Sequence, residues 1–341
     1  MGGVAIYVDR LFNLLCRKYN VELLTYHLSG KNKWLTKMKL LTSIIRTFFY
    51  KPDLLYSNMT DRYLMPFLIL FNRIRGVRVL QHIHSFRIEE HNLIKRLSML
   101  LSIRVATTVV VPNRSVLDTL KSVYKNWINH GKIFVIPSYL STKYSSILSA
   151  ESNRLPHEID YFLETHSPVI VANAGRIVLI HGKDIYGIKD CIILLEKIRK
   201  HFTGAGFIFF LPRIGNYDYY QKLKNLVREK SLDEHFLWVK DANLFLIVLK
   251  RSNVFIRPTL SDSYGISTAE ALELGIPSIA SDVCERAYGT ILYKTGYFED
   301  LFMKTISVLE NLDHYKEPLK TLKIYDASEK IFRLLESILF R

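Results

Sequence analysis

Cysteine is scarce in this 341-residue chain, which has only Cys16, Cys191 and Cys284, all far apart. That spacing excludes a zinc-type pair, a redox Cys-x-x-Cys and a disulfide framework, and fits a reducing compartment. No apolar run reaches the ~18 residues of a membrane-spanning helix, and no long apolar core follows Met1, so a cytoplasmic protein without a signal peptide is expected. Myristoylation is not expected either, because Ile6 stands where Ser or Thr is required. Low-complexity tracts and short repeats are missing. So are helix-turn-helix, zinc-finger and RNA-recognition patterns, and nucleic acid is not an expected partner. Acidic residues are few in one half only: residues 1–150 hold 22 Lys+Arg against 7 Asp+Glu, while residues 151–341 hold 25 of each. The whole net charge of +15 therefore lies in the first half.

What is present is an ordinary globular composition, 49% hydrophobic and 23% charged, long enough for two domains. The basic excess concentrates in residues 31–49, where Lys31, Lys33, Lys37, Lys39 and Arg46 interleave with Trp34, Leu40, Leu41, Ile44, Ile45, Phe48 and Phe49. A helix of that composition suits an anionic membrane surface. An ordinary amphipathic helix packed on its own sheet, with solvated lysines, is the alternative. The first reading places the protein peripherally on the inner face of the cell membrane.

Helix-like and strand-like runs alternate along the chain. In the first half, helices are predicted over 4–18, 63–74 and 114–127, and strands over 21–24, 53–56, 78–84, 106–111 and 133–136. Residues 145–167, with Ser, Glu, Asn, Pro and little period, read as a linker. The second half predicts strands near 169–172, 207–211, 236–239, 253–257 and 278–280, a helix over 191–200 and a final helix over 327–340. Such alternation implies parallel sheets covered by helices on both faces. The expected division is a domain of residues 1–150 and a domain of residues 151–341.

The richest stretch is 253–277. Asn253, Val254, Phe255, Ile256 and Arg257 suit a buried parallel strand. Pro258 and the Ser261-Asp262-Ser263 cluster stop it, and a helix from Ile266 ends at Gly275-Ile276-Pro277. Ligands of open parallel sheets bind beyond the carboxyl ends of strands. Gly265 has no Cβ and admits a close backbone approach, and the N–H groups at Ile266 offer a positive end to an anion. Asp262 and Glu270 flank this junction, Glu270 about one turn into the helix. Read without the rest of the chain, they could equally be a cap and a solvated acid.

The pattern from Asp262 through Tyr264-Gly265 and Glu270-Ala271 to Gly275-Ile276-Pro277 and Ala280-Ser281-Asp282 resembles the signature of the family-4 glycosyltransferases, retaining enzymes of the GT-B fold. Ala174-Gly175-Arg176 resembles the end of that family's first C-terminal-domain strand. Lys51-Pro52-Asp53, Ile83-His84-Ser85 and Ile136-Pro137 resemble its N-terminal domain more loosely. The resemblance implies two Rossmann-like domains facing across a cleft, the last helix crossing back to the first domain. It implies a nucleotide-diphosphate sugar as donor and no protein nucleophile. It places Asp262 and His84 beside the donor sugar, with His82 the competitor of His84. Arg176 falls on the departing diphosphate, Glu270 on the ribose, and Gly2 and Gly3 where backbone closes over the phosphates. No Asp-x-Asp occurs, so neither a metal nor another cofactor is expected. The acceptor is expected to be a saccharide or a lipid-linked saccharide, in surface polysaccharide or glycoconjugate synthesis.

The chain departs from that pattern in three places. Its first acid is Asp262 rather than Glu, one methylene shorter. Where the family has a Lys-Gly pair, this chain has Tyr186-Gly187, and Lys183, ahead of Lys189, is the cation expected to substitute. The strand that precedes the family's Gly-Gly turn has no counterpart before Gly2. Neighbouring strands would then carry unpaired groups, so the natural start is expected upstream, or the product unstable or inactive. These departures favour one rival, a catalytically silent GT-B relative acting as a binding or scaffold protein; the other rival, a sugar-nucleotide epimerase, shares the GT-B architecture but would need further acid/base residues that the sequence does not identify.

Overall fold

The computed structural model describes residues 3–23, 45–46, 49–58, 65–84, 93–145 and 154–340. Of the basic segment 31–49, only residues 45, 46 and 49 are among them, and Gly2 lies outside them. The chain forms two compact units. An N-terminal unit holds residues 11–138 and 327–341, and a C-terminal unit holds residues 1–10 and 139–326. The division thus falls at 138/139, where 150/151 was expected.

In the N-terminal unit, helix α1 (Gly3–Leu15, its residues to Arg10 grouping with the other unit) precedes β1 (Leu54–Ser57), α2 (Met65–Ile74), β2 (Arg78–His82), α3 (Leu93–Val105), β3 (Thr108–Val111), α4 (Arg114–Tyr124) and β4 (Ile133–Val135). The strands form one parallel sheet in the order β1-β2-β3-β4. Thr108-Val109-Val110-Val111 is wholly buried, as expected of β-branched residues in a sheet covered on both faces. Ile69, Val79, Ile103, Val109 and Leu120 form its core. Asn113 caps α4 by accepting a hydrogen bond from Val116 N–H at 2.9 Å. The strand expected over 21–24 is not formed at residues 21–23, and residue 24 is not among those described.

In the C-terminal unit, α5 (His157–Thr165) forms inside the stretch read as a linker, because Ile159 and Phe162 bury on one face. There follow β5 (Val169–Asn173), the hairpin β6 (Leu179–Ile180) and β7 (Lys183–Asp184), α6 (Ile188–Ile198), β8 (Gly206–Phe210), α7 (Tyr217–Glu229), β9 (Phe236–Val239), α8 (Phe245–Lys250), β10 (Val254–Arg257), α9 (Ile266–Glu273), β11 (Ser278–Ser281), β12 (Ile291–Tyr293), α10 (Phe298–Glu310) and α11 (Leu312–Lys316). The six-stranded sheet runs β12-β11-β10-β5-β8-β9, all parallel. The last helix, α12 (Ser328–Leu339), groups with the N-terminal unit. The hairpin and β12 were not anticipated, being only two and three residues per strand.

Strand order decides where a ligand can sit. From β5 the chain proceeds outward to β8 and β9, then returns to β10 on the other side of β5 and proceeds to β11 and β12. The order reverses between β5 and β10, so their carboxyl ends frame the crevice where open α/β sheets bind ligands.

Candidate functional site

Asn173 ends β5 and Arg257 ends β10, and they are bonded to each other at that crevice. Arg257 Nη1 donates to the Asn173 backbone carbonyl at 3.0 Å and to its Oδ1 at 2.8 Å. Asn173 Nδ2 in turn donates to Ser267 Oγ at 2.8 Å, in the first turn of α9. Arg257 Nε donates to Asp262 Oδ2 at 3.0 Å. The guanidinium carbon lies 5.4 Å from the centre of the Tyr186 ring, close enough for a cation–π contact. Its Nη2 donates no hydrogen bond among the described residues.

Asp262 Oδ2 accepts a second bond, from Arg286 Nη1 at 2.8 Å. Burial alone would favour the neutral acid, but Arg257 and Arg286 outweigh it and hold the Asp262 carboxyl well below the usual carboxylate range. The same environment holds Arg257 charged: burial opposes its charge, and Asp262 followed by Tyr186 more than offsets that.

Arg286 is buried, and all five of its N–H groups are engaged. Besides Asp262 they reach the Ser281 carbonyl at 3.1 Å, Ser281 Oγ at 3.2 Å, Thr259 Oγ1 at 3.1 Å and the Tyr264 carbonyl at 3.4 Å. It ties the loop between β10 and α9 to the end of β11. This gives Gly265 a different reason from the one expected. At φ +75° a Cβ on Gly265 would lie 2.3 Å from Arg286 Nη1 and 3.2 Å from Asp262 Oδ2. The missing side chain makes room for the protein's own arginine.

Glu270 is buried on α9 and forms an ion pair with Arg10, each 1% exposed. Arg10 Nη1 also donates to the Leu140 carbonyl at 2.9 Å. Glu270 Oε2 and Arg10 Nε are buried without a hydrogen-bond partner among the described residues. One turn on, Glu273 accepts from Tyr139 OH at 2.6 Å and from Thr142 N–H at 2.8 Å, with Ser141 Oγ as a third donor. Burial pushes the Glu273 acid upward, but these bonds prevail and hold it below its ordinary value. Glu273 therefore fastens residues 139–142 to α9.

The expected cations are placed differently from Arg257. Arg176 is exposed in the loop after β5. That loop is fixed by Ile177 N–H bonding the Ile214 carbonyl at 3.0 Å, and by Gly215, where a Cβ would lie 2.6 Å from the Ile177 carbonyl oxygen. Lys183 is exposed on the hairpin, whose turn residues His181 and Gly182 have φ +48° and +74°, the geometry of tight two-residue hairpins. The N-terminus of α6 is closed by its own acid. Asp184 accepts from Tyr186 N–H at 3.0 Å and Ile188 N–H at 2.7 Å. Gly187 is required there, since a Cβ would lie 2.3 Å from the Pro258 carbonyl oxygen.

In the N-terminal unit, His84 is buried and stacks on His82, ring centres 4.1 Å apart and nearly parallel. Its Nε2–H donates to Asn58 Oδ1 at 2.9 Å, and His82 Nε2 is 3.0 Å from Ser138 Oγ. Burial lowers the His84 pKa to about 3, and burial together with His84 lowers that of His82 well below its ordinary value. Both rings are neutral near pH 7. Gly3 opens α1. The structure thus brings Asp262, Gly265 and Ile266 into one loop–helix junction. Arg257, Arg286 and Asn173 join them, three residues the sequence reading gave no role. Arg257 stood in view at the end of its predicted strand. Arg286, 24 residues beyond Asp262, carried no local signal.

Residues 186–302 match the family model described as glycosyl transferases group 1. The matched segment is that of a glycosyltransferase, and it contains Tyr186, Arg257, Asp262, Glu270 and Arg286. No curated protein matches the chain by sequence. Among solved structures, HepE of Anabaena in complex with UDP-glucose is similar over 99% of this chain and 96% of its own, with 14% identity and a TM-score of 0.69. Sucrose-phosphate synthase of Thermosynechococcus elongatus matches over 99% and 94%, with 15% identity and a TM-score of 0.67. A TarM mutant of S. aureus in complex with fondaparinux, alpha-GlcNAc-glycerol and UDP matches over 88% and 59%, with 13% identity and a TM-score of 0.60. The fold is GT-B. Among the described residues no cluster of three or more His, Cys, Asp or Glu could hold a metal ion.

Proposed function

We propose that this glycosyltransferase moves a sugar from a nucleotide-diphosphate sugar to a saccharide or lipid-linked acceptor with retention of configuration, in surface polysaccharide or glycoconjugate synthesis. One observation carries the reading: inside the matched segment, a charged Arg257 stands at the strand-order reversal with Nη2 unengaged, beside the ring of Tyr186. The family's lysine is absent from the Tyr186 position, and Arg257 offers a cation over that same side chain. Its planar fork suits a diphosphate oxygen. Arg176 and Lys183, exposed on the two neighbouring loops, would add charge as the diphosphate leaves.

Asp262, held ionised, has Oδ1 bonded among the described residues by Ser263 N–H alone, at 3.0 Å, and can still accept from a sugar hydroxyl. Glu270 would read the ribose through Oε2, which Arg10 leaves without a hydrogen bond but which is buried here, so a small shift of the covering side chains would have to accompany nucleotide binding. Asp262 is shorter than the acid the family uses, but two arginines fix its position, which reduces what reorganisation would cost. HepE bound to UDP-glucose supports a uridine donor. The basic first half supports an acceptor at an anionic membrane on the inner face of the cell membrane.

Titration calorimetry with UDP, followed by incubation with labelled UDP-sugars and bacterial lipid extract, tests the reading. Label entering lipid or saccharide with its anomeric configuration kept is the expected result. Binding without turnover would indicate a silent relative, and an epimerised free UDP-sugar would indicate the epimerase.

A further inference from the structure

Large apolar side chains at the surface of α2 and α3 belong to no site described above. On α2 they are Phe67, Leu70 and Ile74; on α3 they are Leu93, Leu97 and Leu101, with Ile94 beside them. Each is between 46% and 76% exposed. At ~100° per residue, the three on α2 fall within about 60° of one another and the four on α3 within about 100°. Each helix therefore has a single outward apolar stripe. Both also turn an inner face to the same core, α2 through Ile69 and α3 through Met99 and Ile103. The two helices pack against each other, so the stripes lie side by side on one face.

Elsewhere the pattern differs. In the C-terminal unit the exposed large apolar residues are mostly tyrosines, Tyr161, Tyr217, Tyr288, Tyr297 and Tyr325, with Leu292 and Met303 among them. Single exposed apolar residues need no explanation, whereas a continuous apolar face marks a contact surface.

Charge selects the occupant. α2 and α3 contain Arg73, Lys95, Arg96 and Arg104 and no acidic residue. Arg73 and Arg104 are exposed, near the C-terminal ends of their helices. An apolar stripe edged by arginines, within a half of the chain carrying the whole net charge of +15, complements an anionic bilayer, where aliphatic groups enter the acyl boundary and guanidinium groups meet headgroup phosphates. No helix among the described residues is long and apolar enough to cross a membrane. We infer that the α2–α3 face is the surface by which this protein lies on an anionic membrane, α2 and α3 parallel to its plane. This rests on the membrane-acceptor part of the proposed function and names its surface, distinct from the basic segment 31–49.

Flotation of the full-length protein with phosphatidylcholine vesicles, with and without 30 mol% phosphatidylglycerol, tests it. The expected result is binding to anionic vesicles only, weakened by salt. The double variant Leu97→Asp/Leu101→Asp should lose at least tenfold in vesicle binding while its melting temperature and UDP binding stay unchanged. Arg73→Gln/Arg104→Gln should flatten the salt dependence. Wild-type protein that ignores vesicles, or an Asp variant that binds as wild type, overturns the inference. So does a wild-type dimer that Leu97→Asp dissociates without any vesicle binding, which would make the face an interface between copies. UDP binding without vesicle binding refutes this surface and spares the donor site; vesicle binding without UDP binding does the reverse.

Discussion

In the N-terminal unit His82 and His84 are buried, stacked and neutral, whereas in the C-terminal unit a half-buried carboxylate, Asp262, is held between Arg257 and Arg286. Both sit at the carboxyl ends of parallel strands, or just beyond them. A neutral imidazole pair tolerates burial because it carries no charge; a carboxylate tolerates it only with cations and hydrogen bonds around it. One end is suited to hydrogen-bonding a hydroxyl and the other to meeting an anion. The outer surfaces differ in the same sense: the N-terminal unit shows apolar stripes and arginines, the C-terminal unit mostly tyrosines.

The largest predicted effect breaks the ionic side of this contrast. Arg286→Leu removes five engaged donors and leaves Asp262 with one cation, so the C-terminal unit should lose about 3–5 kcal/mol in urea unfolding. Nucleotide binding should fall with it, while amide protection in the β1–β4 sheet stays as in wild type.

Acidification should break the neutral side instead. The folded-state pKa of His84, about 3, lies below the ordinary value of 6.5. Its contribution is therefore complete above pH 6.5 and lost as pH falls toward 3. Between pH 7 and 5 this amounts to about 2 kcal/mol. Asp262 is depressed in the same direction, but an acid loses its contribution only below its unfolded pKa of about 3.9. Hydrogen exchange at pH 5 should thus show the N-terminal sheet loosening first, and His84→Asn should reduce that dependence, leaving the part that the equally buried His82 contributes.

A smaller effect sharpens the assignment of the cations. Arg257→Gln should weaken UDP binding about tenfold, as expected of one charge-assisted contact, and more than Lys183→Gln does. Equal losses for both variants in calorimetry would return the role to the hairpin lysine. The smallest effect calibrates the comparison. Asn113 and Asn216 cap α4 and α7 through bonds of 2.9 Å to Val116 and Tyr219 N–H. Their alanine variants should each cost about 1 kcal/mol, and unequal costs would show that one unit unfolds independently of its cap.

Much of this molecule was legible in its residues. Apolar runs marked nine of the twelve strands among the described residues, because a sheet buried on both faces needs them, and the Asp262–Glu270 spacing marked the loop–helix junction. The stretch read as a linker became α5 because two apolar residues at helical spacing found a core to bury in. The pairing of Arg10 with Glu270, 260 residues apart, had no local trace at all.

The sequence by itself determined the parallel-sheet architecture, the position of the switch-point loop and the asymmetry of charge, since periodicity, turn residues and composition are local quantities. Only the tertiary structure decided which cation lies over Tyr186, why position 265 excludes a side chain, and which helix faces are exposed among the described residues. Those outcomes depend on side chains that meet through space from distant strands, and on burial, which no short window of residues contains.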